Sequence, residues 1–500
     1  MKKKLGKNYN LFLIIIIAIL FRILGLYFPF LGLEYEDSYI YSAVSRQMNI
    51  NYAFNHDVFF TKYIIFGDIK SGILTQTISG HFAFFPAFLS IINLIFGYNT
   101  FNIIYLNLIL SIINIIYACK LFNLLVNNKT SQLFFGLLYS TTPFLCVYNT
   151  SGLSETASSV FVIITSFFYI KYSIDNNNKS LTPIYLLFIL LAFIVKRDNL
   201  ILLILPVMHL LKYLYSIDYG NKKKIFTFVI LIFTIFSVLI VFKIDKTILD
   251  ERNDINISPF RFQYFFTLFP LFFESLFNIR FFGQIFLFLI ASVFVIKKTE
   301  KYTLVLITIS MLYVLMYSFH YRSYYMVNGN YSPNIIDTFR YYTNFFSILF
   351  IGFSVTIFNV LNLVINKYKK IITIAIIIFL MINFHSNYQI RDDFSAIEYN
   401  ERIMPVKETL KTITSNDIVV TDRPILFQMF GKEDIFIVDI TAITMDEIKT
   451  LNILKKSKKI YYMKDEELDN RYSIKNYFEK NYKFNFVKRL SNHYVLLKTN

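Results

Sequence analysis

Five hundred residues could hold several soluble domains, but 55% hydrophobic content, 57 Phe and only 17% charged residues exclude an ordinary soluble chain and define a membrane protein. The net charge of +17 does not mark a nucleic-acid binder, because the lysines fall in short gaps between apolar segments rather than along one stripe. Of the two cysteines, Cys119 and Cys146, both lie in apolar runs and read as small buried hydrophobes, so no disulfide framework and no Cys/His metal site is expected.

Lys2, Lys3, Lys4 and Lys7 precede Leu11 to Leu31, an apolar stretch of about 20 residues without a small-residue cleavage pattern, which reads as a retained first span. Further apolar stretches follow at Phe82 to Phe96, Phe101 to Val126, Leu133 to Val147, Leu153 to Ile170, Pro183 to Val195 and Leu200 to Leu214. The remainder are Ile225 to Phe242, Phe281 to Ile296, Leu304 to Phe319, Phe345 to Ile365 and Ile371 to Phe384. About twelve segments can therefore reach across a bilayer, or nearly so.

The basic amino terminus and the Lys-rich gaps at Lys129, Lys171 to Lys179, Lys222 to Lys224, Lys297 to Lys301 and Lys367 to Lys370 should share the cytoplasmic side. They do so only if one early segment fails to cross. Phe82 to Phe96 is the shortest of these, carries Pro86 and ends at Gly97, so it is expected to lie in the interface or to re-enter. The fold class is then a polytopic α-helical membrane protein of about eleven spans plus one interfacial or re-entrant helix. The same parity puts Gly32 to His81, Tyr148 to Gly152, Lys196 to Asn199, Lys243 to Arg280, His320 to Asn344 and everything after His385 outside.

After Asn387 the periodicity changes. Asp417 to Asp422, Asp434 to Ile440 and Lys459 to Met463 read as short buried strands, separated by helical patterns at Ile403 to Ile413, Met445 to Leu454 and Ser473 to Tyr482. Phe484 to Lys498 reads as a closing strand pair around Ser491 and Asn492. The expected organisation is a transmembrane domain over residues 1–386 and a small extracytoplasmic α/β domain over 387–500, without a Gly-rich phosphate loop.

Chemistry-bearing residues gather in the outside loops. Glu34, Glu36 and Asp37 follow directly on the first span, where partial desolvation at a bilayer surface raises a carboxylate's basicity. Ser38 to Met48 can form a helix along the membrane with Tyr41, Val44 and Met48 on one side. The plainer alternative is a solvated loop with Asp37 or Ser38 capping that helix.

The run EDSYIYSAVSRQM resembles the first-loop signature of the GT-C superfamily, integral membrane glycosyltransferases that include aminoarabinose transferases, protein O-mannosyltransferases and oligosaccharyltransferases. The resemblance gives Asp37 the catalytic-base position, with Glu36 as its substitute one residue away and Tyr41 as the aromatic of the motif. Gly80 to Gly97, which includes His81, is similar to the family's Pro-containing segment, and Tyr148 to Glu155 to its second outside loop, making Glu155 a second carboxylate of the site. Glu155 equally suits the first turn of a helix. Lys196, Arg197 and Asp198 interrupt two short spans outside, as a basic residue does in relatives. Phe339 to Tyr342 is similar to the family's Arg-Tyr element near the lipid phosphate, which assigns Arg340 and Tyr341 to donor binding. An Arg fork also suits headgroups at the membrane surface. His320 and Arg322 open the same loop as weaker candidates.

The implied reaction is transfer of a sugar from a polyprenyl-phosphate donor to a lipid, glycan or protein acceptor outside the membrane, with inversion. No metal site is assigned, although Glu36, Asp37 and Glu155 could together form an oxygen site for a divalent cation, which oligosaccharyltransferases of this family use. No other cofactor is expected. The competing class, a transporter or flippase of lipid-linked saccharides, should carry charged residues within its spans, whereas here the acids sit in outside loops.

Overall fold

The computed structural model describes residues 2–27, 41–42, 44–46, 63–64, 77–78, 84–175, 181–214, 265–266, 268–270, 301–319, 324–327, 330–333, 335–365, 368–414, 417–423, 426–427, 430, 436–439, 459–465, 480 and 482–499. Its helices in chain order are α1 (Lys2–Tyr27), α2 (Phe84–Phe96), α3 (Asn102–Leu125), α4 (Lys129–Thr141), α5 (Pro143–Tyr148) and α6 (Ser154–Ile174). Then come α7 (Leu181–Val195), a tighter 3-10 segment (Arg197–Leu203), α8 (Ile204–Leu214), α9 (Lys301–Ser318), α10 (Ile335–Ile365), α11 (Lys369–Glu398) and α12 (Met404–Thr412). The chain divides into two compact units, Met1–Phe28 with Ile104–Arg391, and Pro29–Ile103 with Asp392–Asn500.

Among the described residues, four helical stretches are long and apolar enough to cross a membrane: Asn102–Leu125, Ser154–Ile174, Thr343–Leu361 and Lys370–Asp392. Shorter apolar helices accompany them, including Asn10–Leu24 and Thr182–Val195. The expected spans Ile225 to Phe242 and Phe281 to Ile296 lie outside the described residues, as do the helical patterns Met445 to Leu454 and most of Ser473 to Tyr482.

In the first unit the elements follow local sequence rules. Asn128 opens α4 by accepting from the backbone N–H groups of Thr130 (2.9 Å) and Ser131 (3.2 Å). The stretch Leu133 to Val147, expected as one span, is instead two helices, because Pro143 has no N–H to continue α4 and starts α5 at its first position. Lys196 to Asn199 likewise leads into a 3-10 segment before α8 rather than directly into an α-helix. Where α1 passes α4, Gly136 leaves no space for a side chain: an added Cβ would meet Ile14 Cδ1 and come within 2.9 Å of Ile14 Cγ1 and 3.3 Å of Cys119 Sγ. Phe122 stacks on Phe135 at 4.2 Å, and Phe350 closes on Phe135 and Tyr139, forming an aromatic core between α3, α4 and α10.

In the second unit, residues 41–42 and 44–46 are helical, and Tyr41 and Val44 are both buried. Tyr41 meets Phe85 of α2 edge-on at 5.2 Å, while Asn93 donates to Ser45 Oγ (3.0 Å) and Asn102 donates to Asn93 Oδ1 (2.8 Å). The carboxyl-terminal part forms a five-stranded mixed sheet from β5 (Ile418–Thr421), β6 (Phe436–Asp439), β7 (Ile460–Asp465), β8 (Phe484–Arg489) and β9 (Tyr494–Thr499); β1 (Tyr63–Ile64) with β2 (Thr77–Ile78) is a short pair of the same unit, whereas the short pair β3 (Tyr324–Val327) with β4 (Asn330–Pro333) belongs to the first unit. The order is β6-β5-β7-β9-β8, with β6, β5 and β7 parallel and β9 antiparallel to both β7 and β8. Central strand β5 is buried along its length, as its uninterrupted Ile418-Val419-Val420 run requires.

Candidate active site

Glu155 is placed by a folded elbow. The chain ends α4 at Thr141, turns at Pro143 into α5, runs through Asn149 to Leu153 with Gly152 at φ 83°, and begins α6 at Ser154. Only a glycine takes that left-handed backbone without strain. Glu155 therefore stands in the first turn of α6, where a carboxylate suits the helix dipole.

Two buried arginines fasten this elbow. Arg22 of α1 donates to Ser140 O (2.6 Å), to Ala18 O (3.3 Å) and to Ser111 Oγ, and its Nη1 lies 3.6 Å from Cys146 Sγ. Arg391 of α11 donates to Cys146 O (2.7 Å), Thr150 Oγ1 (2.5 Å) and Asn387 Oδ1 (3.0 Å). Both side chains are fully buried. Each guanidinium faces the carbonyl end of a helix, Arg22 that of α4 and Arg391 that of α5, so the negative poles of those helices offset part of the burial cost. Asn387 also donates to Phe21 O (2.8 Å), tying α11 to α1.

Across the elbow, Lys196 Nζ lies 3.0 Å from Glu155 Oε1 and 3.5 Å from Asp198 Oδ2. The hydroxyl of Tyr317 in α9 donates to the same Asp198 oxygen at 2.8 Å. Glu155 and Lys196 retain only 5% and 13% side-chain exposure, so the pair acts in a lower dielectric than a surface pair. Beneath it, Asn199 donates to Ser158 Oγ and Ala192 O, both at 2.7 Å, and its Oδ1 accepts from Tyr313 (2.7 Å) and Asn344 (3.3 Å). A polar path continues through Ser159, which contacts Ser347 Oγ (3.2 Å), to Asn114 and Tyr139. The start of α6, the residues following α7, the end of α9 and the middle of α10 thus meet at one end of this unit.

Of the sequence-derived site residues, the structure brings together Glu155 and Lys196, the latter bonded to carboxylates. Arg340 and Tyr341 lie in α10 about one turn before Asn344, and Arg197 opens the 3-10 segment beside Lys196; only the backbone of these three is described. Tyr41 is buried against Phe85 in the second unit. Glu36, Asp37, His81, His320 and Arg322 lie outside the described residues. Sequence reasoning named Asp198 only as part of the charged interruption between spans, and passed over Asn199, Tyr317, Arg22 and Arg391. Arg22 had a signal, a cation inside an apolar run; the others become visible only when elements far apart in sequence meet.

This arrangement, an apolar helical unit whose polar groups converge at one end, and a mixed α/β sheet in the chain's other unit, is similar in fold to solved structures of ArnT and of an oligosaccharyltransferase. ArnT from Cupriavidus metallidurans, bound to undecaprenyl phosphate, superposes with a TM-score of 0.57 at 10% identity over 97% of both chains, and its apo state with 0.58 at 9% identity over the same shares. The Archaeoglobus fulgidus oligosaccharyltransferase in complex with Zn and sulfate superposes with a TM-score of 0.51 at 14% identity, covering 97% of this chain and 72% of that one. No protein-family model matches the sequence, and no curated protein matches it.

Proposed function

We propose that the chain transfers a sugar from a polyprenyl-phosphate-linked donor to an acceptor on the extracytoplasmic side of the membrane, with inversion at the anomeric carbon. The observation that carries the reading is the end-on convergence of Glu155, Lys196, Asp198 and the Arg340 turn of α10 within a fold shared with ArnT, whose structure holds undecaprenyl phosphate. Residues 1–386 form the membrane catalytic domain of about eleven spans, and residues 387–500 an extracytoplasmic α/β domain.

Asp37 takes the proton from the acceptor hydroxyl as that oxygen attacks the anomeric carbon, with Glu36 beside it in sequence. Arg340 and Arg197 stabilise the departing lipid phosphate, whose charge grows in the transition state, and Tyr341 and His81 assist in donor binding, whereas Tyr41, expected there from the sequence, is buried against Phe85. Glu155 orders the basic residues of the site. The second reading, a flippase of lipid-linked saccharides, draws on the two buried arginines; their bonds to helix-terminal carbonyls give them a structural role instead.

The test is mass analysis of surface glycans and glycoproteins in a deletion strain complemented with wild type or Asp37→Asn. Wild type should restore a sugar lost on deletion, and Asp37→Asn, inserted at normal level, should restore about 10²–10⁴-fold less in a timed assay. A deletion that alters no glycan, or an Asp37→Asn protein as active as wild type, overturns the reading.

A further inference from the structure

Helix α11 keeps apolar side chains out and polar ones in. Ile374, Ile377, Ile378 and Met381 are all exposed, whereas Asn383, Asn387 and Arg391, which recur every fourth residue and so share one face, are buried. Asn383 donates to Thr141 Oγ1 (3.2 Å) at the end of α4, and Asn387 to Phe21 O (2.8 Å) of α1. Arg391 donates to Cys146 O (2.7 Å) and Thr150 Oγ1 (2.5 Å). In lipid an apolar side chain gains little by leaving the acyl chains for another helix, so polar bonds of this kind carry much of the attachment.

The stripe ends on the elbow from which α6 starts. Arg391 grips the first part of that elbow, while Asn107 of α3 holds its last residue by donating to Leu153 O (3.1 Å). Between the two anchors the backbone makes only the bonds of its own turns, Thr150 N to Val147 O (3.2 Å) and Ser151 N to Tyr148 O (3.4 Å), and bends at Gly152. We infer that Arg391 is a positioning residue for Glu155: the Asn383–Asn387–Arg391 stripe docks α11 on the bundle, and its last member fixes the turn from which α6 and Glu155 start. Asn387 belongs to the same device, because its Oδ1 accepts from Arg391 Nε (3.0 Å) and so aims the planar fork. Arg391 acts through the elbow and not on the substrate. Without its grip the turn is held only from the α3 side and can pivot at Gly152.

Glu155 has its role only in the proposed function, on which this assignment rests, but the first measurement needs no activity. Backbone hydrogen exchange is followed by mass spectrometry on the full chain in detergent micelles. Arg391→Met should speed exchange in peptides covering residues 149–155 by about tenfold or more, with peptides from the middle of α3 unchanged. Arg391→Lys, which keeps the charge but loses the fork, should fall between, and Asn383→Ala, which leaves the elbow's own bonds in place, should match wild type there. Should Arg391→Met not survive purification, Asn387→Ala carries the same expectation in smaller measure. In the deletion strain, at equal membrane level, Arg391→Met should restore the lost sugar about tenfold more slowly than wild type, with Arg391→Lys again between. Wild-type exchange at 149–155 in Arg391→Met overturns the assignment, and so does an equal rise in α3, which marks general loosening. A loosened elbow with an unchanged rate of restoration overturns it as well. An elbow loosened alone, in a chain whose deletion alters no glycan, sustains the grip of Arg391 while sinking the proposed function, so the two fail separately.

Discussion

Asn199 shows how one polar residue can hold four elements together inside an apolar bundle. Its side chain bonds Ser158 of α6, the Ala192 carbonyl of α7, Tyr313 of α9 and Asn344 of α10, all without solvent contact. Asn199→Ala strands these partners together, and because a buried polar group left without a partner costs about 1–3 kcal/mol, the loss should reach about 2–4 kcal/mol of stability. Tyr313→Phe removes a single bond and should cost about 1 kcal/mol. Thermal unfolding in micelles orders the two; a milder Asn199→Ala would show that water replaces the side chain. Glu155 was legible from sequence, since an acid three residues after a glycine and at the head of an apolar run announces a helix start. Lys196 was legible as a basic interruption between spans, yet its partner was not: the distance in sequence between Glu155 and Lys196 is bridged only by the antiparallel packing of α6 on α7. Asp198 was legible only as part of that interruption, and Asn199 was passed over, for the same reason.

Helices and strands in this chain are set by short-range rules wherever those rules are strong. The closing strand pair around Ser491 and Asn492, the buried strands β5 to β7 and the helix after Ile403 all stand where periodicity puts them. The exceptions are ends and breaks. Hydropathy reads Leu133 to Val147 as continuous, while backbone chemistry splits it at Pro143. Hydropathy also stops the last apolar run at Phe384, whereas α11 continues through Asn387 and Arg391 to Glu398, because both polar side chains find partners on α1 and α5. The α1–α4 crossing at Gly136 gives an element-scale prediction. Gly136→Leu should force the helices apart and lower stability by about 1–3 kcal/mol, Gly136→Ala should cost less because the opposing Ile14 atoms are a side-chain tip, and Ile14→Ala should rescue part of the Leu variant. Absence of rescue would mean that the strain falls on Cys119 instead. Beside the sheet, Glu408 of α12 sits between Lys411 (2.6 Å) and Lys488 of β8 (3.0 Å), which hold its carboxyl down at about 2 from an ordinary 4.5. A carboxyl depressed on folding stabilises above its unfolded value and loses that contribution as pH falls through its folded one. The α12–β8 contact should therefore weaken between about pH 4.5 and 2. Lys488→Met should raise the Glu408 titration, observable by carbon NMR of labelled glutamate; an unchanged titration would leave Lys411 as the sole cause.

At the scale of the whole molecule, the short Lys-rich gaps make orientation testable, and the first unit's packing supplies an independent constraint. The Glu155–Lys196 pair joins the start of α6 to the residue after α7, so the connection between those helices, with Lys171 before it and Lys179 within it, lies at the opposite end of the hairpin. Tyr302 near the start of α9 donates to Ser173 O (3.1 Å), and Tyr317 near its end reaches Asp198, so α9 runs antiparallel to α6 and carries Lys301 to the lysine-rich end. Charge bias and helix packing thus sort the same residues to the same ends, and the positive-inside tendency makes the lysine end cytoplasmic. The expectation is that single cysteines at Lys129, Lys179 and Lys222 resist a membrane-impermeant thiol reagent in intact cells and react after permeabilisation, while cysteines at Ser151 and at Asn500 react from outside. The native background is low, since Cys119 and Cys146 are both buried thiols, and each could be replaced by Ala if permeabilised cells showed otherwise. Ser151 is itself buried, so the outside report rests chiefly on Asn500 and on a further cysteine at Asn99, in the exposed turn after α2. Labelling of Asn99 from the same side as Lys129 would mean that α3 does not cross. Labelling of Lys129 from outside with Lys179 protected would return α2 to the membrane as a full span and would mean that the α4–α5 segment does not cross, whereas labelling of Lys179 from outside would reverse the side on which Glu155 and Lys196 meet and leave an extracytoplasmic lipid-linked donor with no access to them.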